Sequence, residues 1–359
     1  MQTQAENAGA QEIARRLADG AAKRGWDASQ IFFYRRTESF DDDPTAFFCA
    51  ARRPTSPLGV LALLFTLFRK FRADRPDVVV TLQHYGNVVA APLARLAGAR
   101  LVIANQLSAA AVVPAKLRLA DKIIGILGGY DHIVVNSIDT EAEYRAYPAR
   151  YSRHITRIDH GFFDKSLDIG KHEARAELAL PPDAPLLGCA ARLHPLKKLD
   201  LAIRLLTQDP ARHLAIAGQG AEREALEALA IELGVADRTH FLGELASDRM
   251  GVFFAALDCF VFPSAAETFG LAPVEAAQAG VPVVANGLEI LREVLAVDGA
   301  PCARFVDADD IAAFSAEVDL VLKDDALRAT MIERGRRLAQ RFPLDAMIDG
   351  YMALMRETA

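Results

Sequence analysis

The sequence has 359 residues, 52% of them hydrophobic and 25% charged, with a formal net charge of −6 at pH 7. That length is long for one domain and comfortable for two, and the composition is that of an ordinary globular chain without low-complexity tracts. The negative balance argues against general nucleic-acid binding, no stretch approaches the roughly 20 apolar residues of a spanning helix, and the polar residues 1–7 lack the apolar core of a signal peptide.

The first predicted element is a helix over 10–24, preceded by Asn7-Ala8-Gly9 and followed by Gly25-Trp26; the first clear strand, 30–34, comes only afterwards. An α/β domain ordinarily opens with a strand that runs through a small-residue turn into its first helix. Here turn and helix are present and the strand is missing. Since that strand belongs in the middle of a sheet, the reading is that the sequence starts late, through a misassigned initiation codon or a truncation; a natural chain that tolerates the gap is the alternative.

A charged loop over 35–43 leads to a strand at 46–50, a helix at 57–71 and a strand at 77–82. The apolar segment 61–72 has a basic end. Such a helix suits an anionic membrane surface, but packing on the sheet, with its cations at the negative end of the helix dipole, is the favoured reading. His84 follows the strand and by itself reads as a loop histidine. A helix at 88–97, strands at 100–104 and 132–135, a helix at 140–145 and a strand at 154–158 continue the alternation, and 162–171 forms a linker.

The second half repeats it. After a helix at 172–179 and the turn Pro181-Pro182-Asp183, a strand at 186–191 runs into Arg192 and Lys197. Two cations beyond the C-terminal end of a parallel strand stand where such sheets bind ligands, and a guanidinium fork beside a compact ammonium suits a diphosphate. A solvated basic loop is the alternative. Asp200 is read as the cap of a helix at 201–206. The strand 213–217 ends in Gly218-Gln219-Gly220, a tight turn; Arg223 stands where a dinucleotide fingerprint needs its third glycine, which disfavours a dehydrogenase. The four cysteines, Cys49, Cys189, Cys259 and Cys302, have no metal-ligand spacing and read as reduced thiols of a cytoplasmic protein with no metal site.

Residues 257–280 organise the chain. The apolar run 257–262 reads as a buried strand ended by Pro263-Ser264, the loop carries Glu267, and a helix starts near Leu271 with Pro273 in its first turn and stops at Gly280 before the strand 281–285. The amides of Phe269, Gly270 and Leu271 lie at the helix N-terminus, where the dipole favours an anion and Gly270 permits close approach. Glu267 and Glu275 flank that position, each able to accept hydrogen bonds from sugar hydroxyls. The alternative makes Glu267 a cap and Glu275 a solvated first-turn acid. Helices at 308–322 and 325–341 and the run 343–355 complete the pattern.

The whole segment, Phe-Pro-Ser-x-x-Glu-Thr-Phe-Gly-Leu-x-x-x-Glu-Ala-x-x-x-Gly-x-Pro-Val-Val from Phe262 to Val284, resembles the Glu-x7-Glu signature of retaining glycosyltransferases of the family-4 kind, the glycosyl transferases group 1. The resemblance implies an α/β chain of GT-B fold: two Rossmann-like domains facing across a cleft, the N-terminal one lacking its first strand. It implies an acceptor domain over 1–165, with the helix at about 343–359 packing back on it, and a nucleotide-sugar domain over 166–342. The implied activity is transfer of a sugar, with retention, from a nucleoside-diphosphate sugar to an acceptor hydroxyl in polysaccharide, glycolipid or other glycan synthesis, without a metal or other cofactor.

By the same resemblance Arg192 and Lys197 stabilise the diphosphate, Glu267 binds the donor sugar, and Glu275 binds ribose hydroxyls. The amides of Phe269, Gly270 and Leu271, with the turns at Gly9 and Gly218, hold the rest of the donor, and His84 and Gln106 lie on the acceptor side. The sequence departs from the pattern where Gln106 replaces the His of Thr-x-His, His160 replaces an Asn, and Lys198 replaces a Gly. The implied partners are the donor and a glycan or lipid-linked acceptor, met in the cytoplasm or at the inner face of the membrane; no nucleic acid is involved. A GT-B isomerase or epimerase acting on the donor alone, and a non-catalytic nucleotide-sugar-binding homologue, are the alternatives.

Overall fold

The computed structural model describes residues 1–5, 9–107 and 113–356. The chain forms two compact units, one comprising Met1–Gly161 with the segment from Leu344 onward, the other Phe162–Pro343.

The first unit holds seven strands: β1 (Gln2–Ala5), β2 (Gln30–Arg35), β3 (Ala46–Ala50), β4 (Val78–Leu82), β5 (Leu101–Gln106), β6 (His132–Val135) and β7 (Ile155–Arg157). They pair in parallel in the orders β1-β2-β3 and β4-β5-β6-β7. Met1 joins the two sets: its ammonium donates to the Val80 carbonyl at 2.8 Å and its carbonyl accepts from the Leu82 amide at 3.0 Å.

The missing first strand is therefore corrected. Gln2–Ala5 fills that place, with Gln2 opposite Phe32 and Ala5 opposite Arg35. Its residues Gln2, Thr3 and Gln4 carry no apolar pattern, so the strand is defined by backbone pairing with apolar neighbours and not by its own side chains. Gln4 accepts from the Tyr34 hydroxyl at 2.8 Å, which ties the polar strand to β2.

Helix Gly9–Lys23 follows β1, and helix Leu344–Arg356 packs beside it at Gly20, where even a Cβ would lie 2.4 Å from Ile348 Cδ1. Helices Pro57–Asp74, Ala91–Ala97 and Ala115–Ile126 follow β3, β4 and β5. The last was not anticipated, because its apolar positions are not gathered on one inward stripe: Leu119 and Ile123 face solvent. The core of the unit gathers Leu63, Leu67 and Phe71, the alanines at 90, 91, 94 and 97, and strand residues such as Val102 and Ile133. Between β4 and helix Ala91–Ala97 the chain makes a short turn, Gln83–Tyr85, and then a π-helical turn, Gly86–Ala90.

The second unit has a six-stranded parallel sheet made of β8 (Leu186–Ala190), β9 (His213–Ala217), β10 (Thr239–Gly243), β11 (Cys259–Phe262), β12 (Val283–Asn286) and, after the small hairpin β13 (Ala296–Val297) and β14 (Ala300–Pro301), β15 (Ala303–Val306). The order is β10-β9-β8-β11-β12-β15. Side chains alternate between two cores: Leu186, Phe260 and Phe262 enter one, and Leu187, Cys189 and Val261 the other. Each fully buried Leu, Val or Phe contributes on the order of 1.5–3 kcal/mol, enough to hold a sheet covered on both faces. The helix after β8 runs Leu199–Arg204 with Lys198 at its cap, so Asp200 is a first-turn acid and not the cap.

Candidate functional site

In the second unit the chain runs outward one way through β8, β9 and β10, and the other way through β11, β12 and β15. Adjacent strands β8 and β11 are thus the point where strand order reverses. Loops leaving their C-terminal ends diverge, and an open parallel sheet forms its ligand crevice there. Arg192 and Lys197 lie on the loop after β8, Glu267, Phe269 and Gly270 on the loop after β11, and Leu271 and Glu275 on helix Leu271–Gln278.

Backbone contacts fix both loops. The first is clamped to the turn after β9: Leu193 N donates to Gln219 O at 2.9 Å and Ala191 N to Ala217 O at 3.0 Å. Gly218, at φ 144°, lies so close to Ala191 that a Cβ would sit 1.9 Å from its carbonyl oxygen, and Gly220 meets Leu193 O the same way at 2.1 Å. Gly218 thereby sets the height of the Arg192 loop. The turn Pro195–Lys197 docks on the second loop, its Leu196 carbonyl accepting from Ala265 N at 2.8 Å and Ser264 Oγ at 3.2 Å. Asn286, at the end of β12, donates to Ser264 O at 3.0 Å.

On this frame Lys197 Nζ meets Glu267 Oε1 at 2.5 Å, with the two side chains 22% and 11% exposed. Arg192 is exposed on the same loop. Gly270 takes φ 83° and ψ 63° at the helix cap, a left-handed conformation suited to glycine, and a Cβ there would lie 2.6 Å from Leu291 Cδ2. No side chain caps the helix, and among the described residues the amides of Gly270, Leu271 and Ala272 have no protein acceptor. Glu267 is therefore not the cap. Phe269 is buried between Phe162 and Phe342, at ring-centroid distances of 5.7 and 5.2 Å, and anchors the loop just before the open amides.

Glu275 is not a solvated acid. Its carboxylate is 8% exposed and accepts from Lys165 Nζ at 3.0 Å, the lysine being 10% exposed. Lys165 escaped sequence reading because a lone lysine in a polar linker carries no pattern. Only the fold brings it 110 residues along the chain to Glu275.

In the first unit, Gly9 starts helix Gly9–Lys23, while Asn7 and Ala8 lie outside the described residues. His84 sits in the single turn Gln83–Tyr85 directly after β4, half-buried, and burial pushes its imidazole below the ordinary value. Gln83 beside it has φ 69°. Backbone strain of that kind, with the π-helical turn next to it, is frequent at functional sites. Gln106 ends β5, the neighbour of β4, so both residues belong to one edge of that sheet. Its amide is engaged inside the unit: Gln106 Nε2 donates to both oxygens of Asp121, at 3.0 and 3.1 Å, and to Tyr151 Oη at 2.8 Å. Tyr130 and Tyr151 also donate to Asp121, and burial raises that carboxyl above the usual range.

No cluster of three or more His, Cys, Asp or Glu able to hold a metal occurs among the described residues. The four cysteines are free, and burial pushes the Cys259 and Cys302 thiols up to about 12.

An open six-stranded parallel sheet, with a basic loop and uncapped amides at its reversal point, is an arrangement in which α/β proteins hold anionic ligands. Two family models divide the chain: residues 8–157 match the glycosyl transferase 4-like domain and residues 170–338 the glycosyl transferases group 1. The chain belongs to the group 1 glycosyl transferase family. It is 30% identical over 238 residues to D-inositol 3-phosphate glycosyltransferase of Mycolicibacterium smegmatis, covering 63% of this chain and 54% of that protein. It is 32% identical over 182 residues to the lipopolysaccharide core biosynthesis glycosyltransferase LpsE of Rhizobium meliloti, covering 50% and 52%. The chain spans about half the length of the curated relatives it matches. Among solved structures, sucrose-phosphate synthase from Thermosynechococcus elongatus superposes with a TM-score of 0.80 at 22% identity, over 99% of this chain and 94% of the other. Anabaena HepE in complex with UDP and glucose superposes at 0.82 and 19% identity, over 99% and 98%. The fold is GT-B.

Proposed function

We propose that this protein is a retaining glycosyltransferase that moves a sugar from a nucleoside-diphosphate sugar to the hydroxyl of a glycan or lipid-linked acceptor. The observation that carries the reading is the set of uncapped amides at Gly270, Leu271 and Ala272 on the same sheet edge as Arg192 and the Lys197–Glu267 pair. A diphosphate fits such a place: the amides and helix dipole favour the anion, while two cations offset the charge that develops as the sugar–oxygen bond to the diphosphate breaks. Lys197 is held by Glu267 in the absence of donor, and the same carboxylate is suited to hydrogen-bond the donor sugar. Glu275 accepts from ribose hydroxyls, with Lys165 holding the carboxylate in place. Such preorganised groups need no metal. His84 and Gln106 belong to the acceptor side, where Asp121 orients the Gln106 amide. Reaction takes place in the cytoplasm, at the inner face of the membrane where the acceptor is lipid-linked. Support comes also from the relatives, which are named as glycosyltransferases, and from the HepE structure, which holds UDP and glucose.

The test is a thermal-shift panel of UDP-, GDP- and ADP-sugars, followed by NMR of the product's anomeric centre. A ligand that binds only the folded protein raises its apparent stability. One nucleotide sugar should raise Tm in wild type and not in Arg192→Ala, with the product keeping the donor's anomeric configuration. An inverted product, or a shift that persists unchanged in Arg192→Ala, refutes the assignment.

A further inference from the structure

We infer that Lys198, through an ion pair with Asp309, is a positioning residue that holds Lys197 at the candidate diphosphate site. The inference rests on the donor reading above. Lys198 stands where the sequence pattern has a glycine, and it keeps a backbone suited to glycine: φ 46° and ψ 44°, left-handed, between the turn Pro195–Lys197 and helix Leu199–Arg204. A side chain disfavours that conformation. Backbone strain retained in a ligand-binding loop points to a contact that the side chain supplies.

That contact is Asp309. Lys198 Nζ donates to both of its carboxylate oxygens, at 2.7 and 2.6 Å. Asp309 follows β15, and β11 and β12 lie between β8 and β15 in the sheet, so the pair joins the loops of strands about 14 Å apart. It also closes a ring. Ala308, next to Asp309, donates its amide to Asn286 Oδ1 at 3.3 Å; Asn286 Nδ2 donates to the Ser264 carbonyl at 3.0 Å; and Ser264 Oγ donates to the Leu196 carbonyl at 3.2 Å. Leu196 and Lys198 are the two neighbours of Lys197, so the ring fixes the Lys197 backbone from both sides. On one side the hold comes from Ser264 and Ala265; on the other it reaches the rest of the sheet through the Lys198 ammonium.

With its backbone held, Lys197 sends its ammonium to Glu267 Oε1, at 2.5 Å, and to within 5.8 Å of the ring centre of Phe262 at the end of β11. Two successive lysines therefore point their cations apart, Lys197 to the loop after β11 and Lys198 to the loop after β15. Glu267 is the carboxylate assigned to the donor sugar, so the Lys197 ammonium beside it stands at the sugar-bearing phosphate. The Lys198–Asp309 pair adds little to folding: its side chains are 30% and 63% exposed, and water and salt screen such pairs. Its effect is on orientation, and a charged group displaced by about 1 Å loses much of its hold on a ligand.

The test is isothermal titration calorimetry of the full chain with UDP, GDP and ADP, each beside its nucleoside monophosphate, with a urea titration of every variant. Wild type should bind one of the diphosphates. Lys198→Gly, which suits the left-handed backbone, and Asp309→Asn should each weaken that diphosphate on the order of fivefold, part of the roughly tenfold or more that a charge-assisted hydrogen bond is worth. The monophosphate affinity and the urea midpoint should stay unchanged, and Lys198→Arg should recover most of the loss. In a Lys197→Ala background, Lys198→Gly should weaken binding no further, because the pair acts through Lys197. Equal diphosphate affinity in wild type, Lys198→Gly and Asp309→Asn overturns the inference and leaves the donor reading standing. So does a loss that persists in the Lys197→Ala background, or one matched by a fall in the urea midpoint, which would make the pair structural. A wild type that binds none of the three diphosphates removes the donor reading and this inference with it.

Discussion

Lys165 and Glu275 offer a direct way to test how the second unit holds its candidate donor site. The pair is 3.0 Å apart with 10% and 8% of the side chains exposed, so removing either partner leaves a charge with little access to water. Breaking a buried pair costs about 3–5 kcal/mol, and the remaining exposure of Lys165 places this one near the lower figure, about 3 kcal/mol. Glu275→Gln and Lys165→Met are each expected to lower the unfolding free energy of the full chain by about that amount in urea titrations. The double variant should lose about 2 kcal/mol less than the sum of the two, since neither charge is then stranded. Lys165→Met keeps the carboxylate and should retain a nucleotide-sugar thermal shift; Glu275→Gln should lose it. Additive losses would show that the two side chains do not interact as described, and retention of the shift in Glu275→Gln would remove the ribose role.

Burial holds the His160 imidazole at about 3 against an ordinary 6.5, and Asn136 Nδ2 lies 2.8 Å from its Nε2. The unfolded chain takes up this proton first, so stability is full above pH 6.5 and declines as pH falls from there toward the folded value, by about 2 kcal/mol at pH 5. His160→Asn should remove that slope; parallel urea titrations at about pH 7.5 and about pH 5 that show equal losses in wild type and variant refute it. Gly218→Ala should cost more than about 2 kcal/mol and weaken donor binding, because the new methyl meets backbone at Ala191 and not a side chain that can turn away. An unchanged urea midpoint and thermal shift would contradict the tight seat of the Arg192 loop. Gly20→Ala should destabilise the first unit by about 1–3 kcal/mol through contact with Ile348, and Ile348→Val in the same chain should recover part of it. Failure of the second change to help would place the cost elsewhere.

Much of the second unit was legible because its signals are local. The run 257–262, Pro263, Gly270 and Gly280 each mark a boundary by chain chemistry alone, and β11, the uncapped helix Leu271–Gln278 and β12 follow in that order. Arg192 and Lys197 were likewise readable, since a basic loop after an apolar strand lies at the ligand-binding end of a parallel sheet. The first unit was less legible for two physical reasons. β1 is made mostly of polar residues and exists through pairing with β2 and the bonds of the preceding Met1 to β4, and the exposed apolar residues of helices Pro57–Asp74 and Ala115–Ile126 blur the periodicity by which a surface helix is known.

What the residues determined unaided was the alternation of strand and helix, the two-domain plan and the acid spacing from Glu267 to Glu275, all consequences of interactions within about twenty positions. Tertiary structure alone decided which carboxylate meets which cation: Lys197 closes on Glu267 across 70 positions and Lys165 on Glu275 across 110. It also decided that Gln106 serves Asp121. Such pairings depend on strand order and crossover hand, which bring distant segments together at distances that no periodicity along the chain encodes.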